Sequence, residues 1–144
     1  MADATGAGSL SRSVRPLDHA MLHQRDMTEG KVVAVWLGDL STFEAMDEYF
    51  TGTFESDHGF TINDRAAPEI SEPDGEEHGV RELLTGFSFH EDWLEDAVRL
   101  CEQAGWRRAR AAAVFHHLRY RPELCQNPTA PMRFVANVPW KAKD

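Results

Sequence analysis

The feature that most restricts the fold is an unbroken apolar run, Val32 to Leu37, which follows Lys31 and stops at Gly38. It is short, rich in β-branched residues and carries Trp36, the pattern of a strand buried on both faces. A helix signal follows directly. Ser41 stands as an N-cap with Glu44 three residues on, the spacing of a capping box. Phe43, Met46 and Phe50 recur at helical intervals, which predicts one apolar stripe facing the strand. Gly52 marks a left-handed C-terminal cap. The expected unit is a strand, a tight turn and a helix of roughly ten residues, about 15 Å long.

Two further elements are legible. Ser88 and Glu91 repeat the capping-box spacing before Leu94, Ala97, Val98, Cys101 and Ala104, an amphipathic stripe with Trp93 and Leu100 on its flanks. Gly105 should end that helix, with Trp106 folding back on Cys101 as the apolar part of a Schellman cap. Ala111 to Leu118 reads as a second central strand, whose small residues let helices close on both faces. Phe134 to Trp140 alternates as a third strand, which Pro139 confines to an edge or ends. These elements predict an α+β fold: a small mixed β-sheet of about three to four strands with helices packed on it. Residues 29–144 are expected to form a single domain, and residues 1–28, small and polar with Pro16, an N-terminal tail. Met27, just before the first strand, is a candidate start of the working chain. Ala66 to Gly79, with two prolines and Gly75 among its acids, reads as an exposed loop.

Charge is distributed unevenly. From Asp39 to Glu102 there are 18 acidic residues against 3 basic ones, and from Gln103 to Asp144 there are 2 against 8, within a chain of net charge −9. Phosphate binding needs basic surface, so nucleic acid is disfavoured as a direct partner. A basic protein is favoured, since an acidic field steers its approach. The bland alternative is that the acids serve solubility alone.

The chemistry of catalysis is thinly represented. His116 and His117 are consecutive on a strand and should point to opposite faces. Asp57-His58 and His78 lie in polar stretches and read as solvated, and His90 as a surface residue. His19 and His23 have helical spacing but no intervening Glu of the zinc-protease kind, and no metal or cofactor is expected. Ser41 and Ser88 are accounted for by capping, and there is no Gly-x-Ser-x-Gly elbow. The chain is not expected to be an enzyme. Cys101 and Cys125 are expected as free thiols. No apolar segment reaches membrane-spanning length and no signal-type apolar core opens the chain, so no membrane association and a cytoplasmic location are the expectations.

Val35-Trp36-Leu37-Gly38, followed by Phe43-Glu44 and Asp47-Glu48-Tyr49, resembles the opening of the immunity-protein family numbered twenty-two among those of bacterial polymorphic toxin systems. Gly86-Phe87-Ser88-Phe89 before a long helix and the aromatic stretch from Phe134 to Trp140 extend the likeness over residues 31 to 140; it is weak from Phe60 to Gly79. The resemblance implies a stoichiometric inhibitor of one cognate toxin. The acidic segment fits a basic toxin, such as a nuclease, occluded by carboxylates. The expected partner-binding residues are Asp39, Glu44, Asp47, Glu48 and Tyr49, then Glu55 and Asp57, then Asp74, Glu76 and Glu77. Tyr49, between the apolar and acidic faces, suits an interface margin. The competing readings are an acidic regulatory or adaptor protein, including a nucleic-acid mimic directed at a basic host protein, and a small hydrolase with buried carboxylates.

Overall fold

A computed structural model describes residues 21–141. The apolar run becomes β1, Thr28–Gly38. After it come α1 (Phe43–Glu48), α2 (Phe54–His58), β2 (Glu69–Ile70), α3 (Val80–Leu84), α4 (Leu94–Gln103), β3 (Ala111–Leu118) and β4 (Met132–Pro139). The strands form one four-stranded sheet in the order β2-β3-β1-β4. The fold is α+β, with helices on both faces of that sheet. All pairings within the sheet are antiparallel. The parallel pairing among the described residues joins Leu22–His23 to Phe60–Thr61.

Alternation along the two central strands divides the core. Val33, Val35, Leu37, Ala112 and Val114 face α3 and α4 with Leu84, Trp93, Ala97 and Cys101. Ala34, Trp36, Ala111, Ala113 and Phe115 face the other way, against Met46, Tyr49, Phe54 and Phe60 of the α1–α2 layer. The alanines of β3 keep the sheet thin, so both helical layers reach it. Fully burying side chains such as Leu84 and Val114 contributes about 1.5–3 kcal/mol each. β4 lies at the sheet edge, with Pro139 at its end and a register shift opposite Val35–Trp36. Both features blunt an edge that would otherwise pair with other chains.

The C-terminus of α4 forms as expected. The Gly105 N–H donates to Glu102 O (3.0 Å) and the Trp106 N–H to Cys101 O (2.9 Å), the two bonds of a Schellman motif. Its start differs. Ser88 and Glu91 form no capping box, because Phe89 adopts a left-handed conformation and a short turn, His90–Asp92, precedes the helix.

Other expectations are corrected. The first helix does not run unbroken to Gly52. It passes through a kinked turn, Tyr49–Thr53, in which Thr51 and Gly52 leave helical geometry, and resumes as α2. Gly59 provides the left-handed cap (φ 80°). The end of the expected tail is packed: Met27 is buried, and the buried Gln24 bonds to Ala66 O and the Asn63 N–H. Residues 1–20, including His19, lie outside the described residues. His116 and His117 are not separated by strand alternation. His117 has φ 60° beside a register irregularity between β1 and β3, and both rings approach Trp140, at 5.6 and 4.8 Å.

His58 is the largest departure. It is 1% exposed and lies within the core. A polar sequence context gave no sign of this, because its burial depends on Trp36, a ring 22 residues earlier in the chain.

Candidate partner-binding face

α1 begins one residue later than the capping-box spacing predicts. Thr42 is the N-cap, its Oγ1 accepting the Ala45 N–H at 3.1 Å. The buried stripe runs through Met46 and Tyr49, and Phe43 lies outward, 47% exposed. The outer face now carries Phe43, Glu44, Asp47 and Glu48, all exposed, with exposed Asp39 before the helix. Phe43 and Asp47 are neighbours at i,i+4, as are Glu44 and Glu48.

This face breaks the rules of its own helix. A like-charge pair at i,i+4 costs about 0.2–0.5 kcal/mol. Asp47 and Glu48 occupy the last turn, where the helix dipole favours cations, and no basic residue is there. Among the described residues no ion pair engages Asp39, Glu44, Asp47 or Glu48. An exposed phenyl ring amid unpaired, mutually repelling carboxylates does not serve the fold. Such local conflicts are expected where function overrides stability.

The other expected site residues, Glu76 apart, are engaged within the molecule. Tyr49 is 6% exposed and does not stand at a margin; it packs inward with Met46 and Phe54. Its hydroxyl donates to Asp57 Oδ2 at 2.8 Å, and burial pushes its pKa upward. Asp57 Oδ1 accepts from Asn127 at 3.2 Å. Glu55 Oε2 accepts the Ile62 N–H at 2.6 Å. In the acidic loop, Asp74 accepts the Glu76 N–H and lies 2.9 Å from His78 Nε2. Its carboxyl is held below the ordinary value by the Glu76 amide and then by His78. Glu77 faces Arg110 at 3.5 Å and Arg108 at 3.8 Å, and its carbonyl accepts from Arg108. Glu76 is exposed. The basic C-terminal third thus neutralises part of the acidic segment, and the loop is separate in sequence and packing from the α1 face.

No family model, curated protein or solved structure matches this chain. The site is therefore argued from its geometry.

Among the described residues no cluster of three or more His, Cys, Asp or Glu side chains could hold a metal ion, and no helix is long and apolar enough to cross a membrane. Cys101 and Cys125 are free thiols, and burial pushes the Cys101 thiol up to about 12. Sequence reasoning missed one surface feature. Phe89, 58% exposed, lies 5.0 Å from the Trp140 ring, close to His116 and His117. The indole N–H of Trp140 donates to Asp92 Oδ2 at 3.0 Å and its backbone N–H to Lys31 O at 2.7 Å. Among the described residues the non-glycine positions with positive φ are Lys31, Phe89 and His117; Phe89 and His117 border this ring, and Lys31 bonds the Trp140 backbone. The Gly86-Phe87-Ser88-Phe89 block was the available signal.

Proposed function

We propose that this protein is an immunity-type inhibitor that binds one basic protein toxin through the outer face of α1. The observation that carries the reading is Phe43, exposed among carboxylates that destabilise their own helix. A half-buried aromatic anchor ringed by polar groups is the usual form of an interface hot spot. The carboxylates supply steering toward a positively charged surface and would occupy places where that surface otherwise meets phosphate. The likeness of Val35 to Tyr49 to the immunity-protein opening supports the same role. Inhibition is by occlusion and needs no catalytic step.

The test is co-expression with the C-terminal domain of the protein encoded immediately upstream. Restored growth with a one-to-one complex on co-purification is the expected result. Phe43→Ala should then weaken the complex by about 2 kcal/mol or more while leaving thermal stability unchanged. A toxic neighbour that this protein neither relieves nor binds would overturn the reading.

A further inference from the structure

The hydrogen bonds around His58 leave one protonation state. The Trp36 indole N–H can only donate, and it lies 3.3 Å from His58 Nδ1, so Nδ1 accepts and carries no proton. The proton is on Nε2, which donates to Met132 O at 2.8 Å. The Tyr49 hydroxyl, 3.4 Å from Nε2, is committed to Asp57. An imidazolium would present N–H groups at both nitrogens, and at Nδ1 it would face the indole N–H with no acceptor between them. The ring is enclosed by Trp36 (5.6 Å), Phe54 (4.6 Å) and Tyr120 (6.1 Å) and is buried from solvent.

We propose that protonation of His58 breaks its bond to Trp36 and opens the α1–α2 layer, so that the face bearing Phe43 is lost on acidification. Tyr49 of the kinked turn after α1 and Phe54 of α2 are the layer's ring contacts with the imidazole, so the disruption falls on this layer and not on α3 and α4 across the sheet. The groups facing His58 are the Tyr49 hydroxyl from the turn after α1, the Asp57 carboxylate from α2, and the Met132 carbonyl from β4. From the segment after β3 comes Tyr120, whose hydroxyl donates to His58 O at 2.8 Å, while the Cys125 thiol lies near the Tyr49 hydroxyl. β1 contributes only the neutral indole. Asp57 and the Met132 carbonyl favour the cation, but burial is the larger influence and holds the imidazole below its ordinary value of 6.5. The closed layer therefore binds fewer protons than the open one below that value. Its stability is complete above about pH 6.5 and declines as pH falls toward the closed-state pKa.

The consequence for partner release rests on the function proposed above; the opening itself does not. Hydrogen exchange on the full chain, from pH 7.5 to 5.0 and corrected for intrinsic rates, tests it without a partner. Protection over residues 43–58 should fall by up to about tenfold per pH unit below 6.5, the slope of one proton, while residues 94–103 keep theirs. In His58→Gln, which retains a donor and an acceptor but does not titrate, protection over 43–58 should not vary with pH. Nitrogen-15 spectra of the unsubstituted protein should show an unprotonated Nδ1 at pH 7.5, whether or not the variant folds. Equal loss in 94–103, unchanged protection over 43–58, or a protonated Nδ1 at pH 7.5 would each overturn the proposal. Failure here leaves binding through Phe43 intact, and failure of co-purification leaves the acid response intact.

Discussion

At Gly38 the main chains of β1 and the β4 approach are so close that a side chain has no place. A Cβ there would meet the Pro131 carbonyl oxygen and Met132. Gly38→Ala should lower stability by about 1–3 kcal/mol, read as a reduced urea midpoint at unchanged slope, because backbone cannot yield as a side chain can. Gly30, in the same strand with open space around it, is the control and should accept alanine with little change. Single residues were also where the sequence was least legible. Phe43 looked like core because its spacing to Met46 and Phe50 is helical, yet the buried face of the helix runs through Met46 and Tyr49 and leaves Phe43 outside. His58 looked solvated because its neighbours in sequence are polar, whereas its environment comes from Trp36, Tyr49 and Met132. A left-handed backbone at His117 defeated the alternation that ordinarily separates adjacent strand residues.

Elements were read best where their signals were local. β1 follows from an apolar run that only a doubly covered strand can bury, and the end of α4 from Gly105 followed by Trp106. Where two capping residues compete, sequence cannot choose between them. Ser41 and Thr42 are adjacent, and tertiary packing of Met46 and Tyr49 selects Thr42. Thr42→Ala should therefore cost about 1 kcal/mol of stability, and Ser41→Ala should stay within about 0.5 kcal/mol, both measured by chemical denaturation. The reverse order would make Ser41 the N-cap and place the start of α1 one residue earlier. The kink at Thr51–Gly52 was unreadable for a related reason: a positive-φ glycine signals a helix end, but not whether a new helix begins two residues later.

Across the whole molecule, the acidic and basic segments partly fold onto one another, through Glu77 with Arg108 and Arg110 and Asp96 with Lys141. What remains outward at α1 gives a prediction that separates function from stability. Replacing Asp47 and Glu48 together by lysine relieves repulsion with Glu44 and suits the helix dipole, so stability should rise by a few tenths of a kcal/mol. Association with the basic partner should slow by about tenfold and lose much of its salt dependence, as measured by stopped-flow at two ionic strengths. Unchanged kinetics would remove this helix from the interface. The segment bearing that face is held at both ends. At its start the Asp39 N–H donates to Pro131 O at 3.0 Å, and at its end Tyr49 is sunk in the core. Its ordering is completed when the chain folds, so association need not set aside binding energy to arrange it. A partner of the proposed kind would meet a rigid template, and the contact energy of Phe43 would go directly into how long the two remained together.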